Sequence, residues 1–214
     1  MTTAIIGVGN LGGTVARHLV HGKEPVVLAA QDEAHAEALA DELGPNASAA
    51  SVEDAIAGAD VVVLAIWVGQ SQELLPSLGS LLENKVVVDP SNPVGFDESG
   101  QMIRTLPEGQ SSGSVVAGLL PASAHYVKAF GTLGADDLAG GANNEPRVVL
   151  LYATDDEVAE ATAQRLISAA GFEPLKLGGV SSVARIEVPG GDLQGRILDL
   201  DEARAVVAAE GAKA

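Results

Sequence analysis

The chain has 214 residues, enough for one full α/β domain with a substantial core and a small appendage, but not for a second large domain. Its 29 acidic and 12 basic residues leave a formal charge of −17, which repels nucleic-acid backbones and anionic lipid surfaces, and the lack of cysteine excludes disulfides and thiolate chemistry. No window approaches the ~18 consecutive apolar residues of a membrane span and the amino terminus runs straight into an apolar segment, so a cytoplasmic protein is expected.

Ala4 to Val8 is apolar without polar alternation, as in a parallel strand covered on both faces. A glycine-rich turn follows and leads into a helix carrying Val15, Ala16, Leu19 and Val20 on one side. Pro25 to Ala30 is the second strand, and Glu33 to Leu43 a helix stopped by Gly44-Pro45. A short segment at Ala47 to Ala50 and a helix at Ser51 to Ala57 precede the strongest strand, Asp60 to Ile66. Gln70 to Leu82 returns as a helix despite Pro76, and Lys85 to Asp89 is again a strand. This alternation predicts a doubly wound, Rossmann-type, mostly parallel α/β sheet.

Past Pro90-Ser91-Asn92-Pro93, turn chemistry at the carboxyl edge, residues Gly95 to Gly113 read as an extended loop. A short helix at Ser114 to Leu120, a strand at Tyr126 to Phe130, a Gly- and Asn-rich loop from Asp136 to Glu145, a strand at Arg147 to Ala153, a helix at Asp155 to Ala170 and a strand at Glu173 to Leu177 follow. An apolar run near Ile186 and a helix from Asp201 to Ala209 complete a division into a dinucleotide-binding domain, 1–180, and a carboxyl-terminal extension, 181–214.

Gly7-x-Gly9-x-x-Gly12 is a weak pattern in a chain with 25 glycines, but it follows a strand and opens a helix at the start of a βαβ unit, the context that gives it meaning. Gly7 is expected to allow the tight turn, Gly9 the approach of backbone to a pyrophosphate, and Gly12 the close packing of helix on sheet. Asp32 stands 20 residues beyond Gly12, where an acidic side chain meets the ribose hydroxyls, and no arginine for a 2′-phosphate lies between Arg17 and Arg104. Local chemistry therefore favours NAD over NADP, with capping of the next helix as the other role open to Asp32. His18 and His21 share a helix face, read as solvated rather than metal-binding, and no metal site is expected.

Read together, Ile6 to Gly12, Val62 to Ile66, Val86 to Pro93, Val127 to Leu133 and Ala184 to Glu187 resemble the coenzyme F420-dependent NADP oxidoreductase family, with which the oxidoreductase domains of the STEAP metalloreductases share the pattern. The resemblance implies a bound NADP or NAD whose nicotinamide exchanges hydride with a deazaflavin (F420) or flavin-like second substrate. It also implies a homodimer whose carboxyl-terminal segment closes the substrate pocket. The implied cofactor contacts are Gly7, Gly9, Asn10, Leu11, Gly12, Gln31, Asp32, Ala65, Ile66, Trp67, Asn92, Pro93, Ala129 and Phe130. Relatives that use NADP carry Ser-Arg or Arg-Arg where this chain has Gln31-Asp32, and the F420 enzymes a histidine where it has Gly131. No catalytic residue is assigned, because hydride transfer between stacked rings needs alignment rather than an acid or base. Tyr126 and Lys128, i and i+2 on one strand, share a face with each other, and Lys128 reads as a structural or positioning residue. A nicotinamide-binding protein without turnover is the alternative reading.

Overall fold

The computed structural model describes residues 1–211, so the last three residues of the expected extension lie outside the described residues. The chain runs β1 (Thr3–Ile6), α1 (Asn10–His21), β2 (Val26–Ala29), α2 (Glu33–Leu43), β3 (Ala47–Ala49), α3 (Val52–Ala57), β4 (Val61–Leu64), α4 (Val68–Leu78) and β5 (Val86–Asp89). It continues through β6 (Val94–Phe96), β7 (Met102–Arg104), α5 (Ser112–Leu119), β8 (His125–Lys128), α6 (Ala135–Gly141), β9 (Val149–Ala153), α7 (Glu157–Ala169), β10 (Glu173–Gly178) and α8 (Leu200–Gly211).

Six strands lie parallel in the order β3-β2-β1-β4-β5-β8, the doubly wound arrangement, and the winding reverses between β1 and β4. β8 meets β9 antiparallel through one bridge, Lys128 with Ala153, and β10 lies parallel to β9 at the edge. Because alternate strand residues point to opposite faces, Ile5, Val61, Val63 and Val88 pack on α1, α2 and α7. Ala4, Ile6, Val62, Leu64 and Val87 pack on α3, α4 and α5. A third cluster joins Val149, Leu151 and Leu177 to Ile186, Leu193 and Leu198, so the carboxyl-terminal segment covers the β9–β10 end of the sheet. No helix among the described residues is long and apolar enough to cross a membrane.

Helix starts follow side-chain chemistry. The Asp32, Ser51 and Asp156 side chains accept from Ala34 N, Asp54 N and Ala159 N at the starts of α2, α3 and α7.

Two segments depart from expectation. The stretch read as an extended loop after Pro93 contains an antiparallel hairpin, β6 on β7, and α5 begins at Ser112. The hairpin's turn is organised by Asp97 Oδ1, which accepts from Ser99 N at 2.8 Å and Gln101 N at 2.9 Å. The loop expected at Asp136 to Glu145 begins as helix α6, whose Leu138 is fully buried. The Leu138 carbonyl lies 3.1 Å from His18 Nε2, and His18 also meets Phe172 edge to face at 5.9 Å. That corrects the reading of a solvated histidine face: His18 is half-buried, and its imidazole is held below its ordinary value by burial, against the opposing pull of the Leu138 carbonyl.

Candidate dinucleotide site

The three fingerprint glycines have three different surroundings. Gly7 has φ +96°, and a Cβ there would stand 2.4 Å from the Ala65 carbonyl oxygen, so neither the conformation nor the space admits a side chain. A Cβ on Gly12 would stand 2.0 Å from the Gly7 carbonyl oxygen; α1 can lie this close to β1 only without one. A Cβ on Gly9 would meet nothing within 4 Å. Gly9 is the N-cap of α1, which has no side-chain cap and no acidic residue in its first turn. The backbone N–H groups of that turn and the positive end of the helix are therefore open to an anion.

In front of this turn lies a cleft of about 870 Å³, of the size that takes small-molecule ligands. Gly7, Gly9, Asn10 and Leu11 line it at the end of β1, Gln31 at the end of β2, and Ala65, Ile66 and Trp67 at the end of β4. Pro90, Ser91 and Asn92 line it after β5, as do Val94 and Phe96 of the hairpin. The wall is mostly apolar, with Glu73 its one ionisable side chain. At the mouth Trp67 and Phe96 meet edge to face at 6.1 Å and 89°, and they are 50% and 58% exposed. The Ser91 hydroxyl is buried without a protein partner. The open backbone at Gly9 and this orphaned hydroxyl fit the two ends of a nicotinamide dinucleotide.

Beneath the Ser91 turn is a buried polar cluster. Lys128, 1% exposed, donates from Nζ to the Ser91 carbonyl, to Ser112 Oγ at 2.6 Å and to Asp89 Oδ2 at 3.3 Å, and lies 3.4 Å from Glu187 Oε1. Tyr126 donates its hydroxyl to Asp89 Oδ2 at 2.8 Å, and Asp89 Oδ1 accepts from Ser91 N at 2.8 Å. Burial first, then the Asp89 carboxylate, pushes the Tyr126 phenol well above its ordinary value, so it remains a donor. Glu187 Oε1 accepts from Ser112 Oγ at 2.5 Å and from Gly113 N at 3.0 Å. Nearby, Asn92 donates Nδ2 to the Gly131 carbonyl at 2.9 Å, and its Oδ1 accepts from Val188 N at 2.9 Å. Both clusters tie the floor of the cleft to the carboxyl-terminal segment.

The cleft brings together nine of the expected contacts. Gly12 supports it from behind. Asp32 caps α2 beside Gln31 and does not line the cleft, and its Oδ2 lies 3.5 Å from His35 Nδ1. Pro93, Ala129 and Phe130 are buried behind the wall, Phe130 at φ +66°. A Cβ on Gly131 would stand 2.3 Å from the Pro90 carbonyl oxygen, which accounts for the glycine there. Sequence reasoning missed Phe96 and the α4 residues Gln70, Glu73 and Leu74. Amphipathic spacing on α4 identifies a buried face, and nothing in that spacing distinguishes core from cleft. The pairing of Tyr126 with Lys128 was legible; their meeting with Glu187 was not. Among the described residues no cluster of three or more metal-ligating side chains occurs.

The fold is of the Rossmann class, with its glycine turn placed where that class receives a dinucleotide, and comparison with known proteins narrows the class. Residues 2–93 match the family model for coenzyme F420-dependent NADP oxidoreductases. A metalloreductase of Rattus norvegicus, STEAP3, is 29% identical over 183 residues, 86% of this chain and 35% of the relative, so the chain spans about a third of that protein's length. A solved structure of a hypothetical protein from Sinorhizobium meliloti superposes with a TM-score of 0.82 at 28% identity, covering 93% of this chain and 95% of the other. Another, named as a candidate F420-dependent NADP reductase from Arthrobacter sp. FB24, superposes with a TM-score of 0.72 at 25% identity, covering 85% and 86%. The chain is thus similar in sequence and fold to these proteins, in keeping with the resemblance read in the sequence.

Proposed function

We propose that the protein is an oxidoreductase that binds a nicotinamide dinucleotide in this cleft and exchanges hydride with a flat deazaflavin- or flavin-like ring, NAD being preferred to NADP. The observation that carries the reading is the cleft itself, with an open glycine turn at one end and the Trp67–Phe96 pair at the other. In this reading the N–H groups after Gly9 receive the pyrophosphate, with Asn10 and Leu11 beside it. Gln31 meets the adenine ribose, with Asp32 next to it at the start of α2 and within reach of the ribose if its side chain leaves the cap. Ala65 to Trp67, Ser91 and Asn92 hold the nicotinamide end, while Pro93, Ala129 and Phe130 back that wall.

The bound dinucleotide supplies the hydride. The chain's own residues position and exclude: the apolar wall keeps water from the reacting ring, and the Lys128 cluster fixes the Ser91 carbonyl so that the turn does not shift. Tyr126 and Lys128 spend their donors inside the cluster and serve as positioning residues. Supporting this division, the single ionisable group of the wall is Glu73, and ring-to-ring hydride transfer asks for no acid or base. A cytoplasmic homodimer is part of the proposal, and light scattering on the purified chain tests the association.

The test uses Trp67, the only tryptophan. Its emission is followed as NADH and NADPH are added, and nicotinamide absorbance is then followed with F420, FMN, riboflavin and ferric chelates. Saturable quenching and oxidation by a ring acceptor are expected. Binding without oxidation by any acceptor identifies a nicotinamide sensor instead, and no binding of either dinucleotide at millimolar concentration refutes the reading.

A further inference from the structure

The mouth of the cleft differs in charge from its glycine end. The anion-receiving groups, the open N–H groups of α1, are at the glycine end. The wall of the cleft carries Glu73, and the hairpin turn that follows Phe96 adds Asp97 and Glu98. Asp97 stays a carboxylate: the Ser99 hydroxyl and the backbone N–H groups of the turn hold it below its ordinary value. In the hairpin register Phe96 faces Met102, and Val94 faces Arg104, so these four side chains share the ribbon face that presents Val94 and Phe96 to the cleft. Arg104 is the one cation of that face, and its guanidinium donates to the Gln110 carbonyl. Three acids thus stand against one engaged base, in a chain whose net charge is already −17.

The aromatic surface has the complementary property. Trp67, Phe96 and Met102 are each about half exposed, and an edge-to-face pair leaves ring faces free to stack on a flat ligand. We propose that the mouth of the cleft takes a planar redox ring without an anionic tail, an uncharged isoalloxazine or quinone, and discriminates against the phosphate- or carboxylate-bearing forms of the same ring. This rests on the oxidoreductase reading. The reaction balances as a hydride, two electrons with one proton, passing from the reduced dinucleotide to the ring. A second proton comes from solvent at the exposed mouth, giving the dihydro ring and the oxidised dinucleotide.

Riboflavin and FMN differ only in a phosphate and so isolate the charge. Full-length protein is saturated with oxidised dinucleotide, which cannot turn over, and each flavin's own fluorescence is titrated at low and at high salt. Riboflavin is expected to bind at least about tenfold more tightly than FMN at low salt, with the gap closing as salt screens the rim. F96S, at an exposed position, is expected to weaken riboflavin several-fold, and E98Q to narrow the gap. Equal affinity for the two flavins at low salt, a gap indifferent to salt, no binding of either, or riboflavin affinity untouched in F96S overturns the proposal. Turnover separates the two claims. If riboflavin binds with this charge signature and NADH is not oxidised, the oxidoreductase reading fails and the ring site stands; if NADH is oxidised as well by FMN as by riboflavin, the reverse holds.

Discussion

The two glycines at the start of α1 make opposite predictions from one substitution. In G9A the new methyl group meets no protein atom within 4 Å, and the backbone there, φ −66° and ψ −166°, suits alanine. The lost N-cap preference costs a few tenths of a kcal/mol to about 1, and the stiffer unfolded chain returns about 0.4–1 kcal/mol. The net is near zero. Dinucleotide affinity, by contrast, is expected to fall at least about tenfold, because the methyl group stands where backbone must approach the pyrophosphate. In G12A the methyl carbon would be 2.0 Å from the Gly7 carbonyl oxygen and 2.9 Å from Ala65 Cβ. Helix and strand must then separate by about 1 Å or more, an overpacking that costs about 1–3 kcal/mol. At about 2–4 °C per kcal/mol for a chain of this size, G12A melts several degrees lower and G9A melts with the wild type. Thermal unfolding and Trp67 quenching on the same samples read both quantities. Wild-type affinity in G9A would remove the pyrophosphate from this turn, and wild-type stability in G12A would refute the packing argument.

Further substitutions test the floor of the cleft and the flanks. Lys128→Met leaves Asp89 and Glu187 buried without their ammonium and is expected to lower stability by about 3–5 kcal/mol in urea unfolding; a loss below 1 kcal/mol would show the cluster is not coupled as drawn. Asn92→Ala removes the partner of the Gly131 carbonyl and of the Val188 N–H, about 0.5–1.5 kcal/mol for each part-buried hydrogen bond lost, and should speed proteolysis near residue 188. Asp32→Arg should move preference toward NADPH; unchanged NADH affinity in that variant would make the side chain a helix cap alone. His18 is neutral in the fold with its pKa below the ordinary 6.5, so the unfolded chain takes up that proton first. Stability should hold above that value and decline as pH falls below it toward the folded pKa, and His18→Gln should flatten that part of a urea-midpoint profile between about pH 7.5 and about pH 5.5.

What the residues disclose before any coordinates follows from how local the cause is. β1, β4 and β5 are uninterrupted valine- and isoleucine-rich runs, and parallel strands covered on both faces require that composition, so their positions were legible. The glycine turn was legible because its three glycines sit at fixed spacing between a strand and a helix, a pattern contained in one short stretch of sequence. α6 was not, since Gly140 and Gly141 give it poor propensity and its stability comes from burying Leu138 against α1. The hairpin has strands of three residues, too short for periodicity, although Asp97 and Gly100 at φ +80° are turn chemistry that marks its tip. Phe96 became a site residue only when that hairpin brought it against Trp67. Glu187 lies 75 residues from Ser112, and no spacing rule connects them.

The late position of Glu187 and Val188 bears on how the protein matures on the ribosome. Lys128, Asp89 and Ser112 are synthesised well before the residue that completes their cluster, and Asn92 waits for Val188 as Thr132 waits for Gly195, whose N–H meets its carbonyl at 2.8 Å. The parallel core can assemble from the amino-terminal four-fifths of the chain, but the cleft floor acquires its last hydrogen bonds only as the final segment emerges. A nascent chain is therefore expected to gain its sheet before its finished binding site, which makes ligand capture a report on the emergence of residues 187–195 as well as on folding.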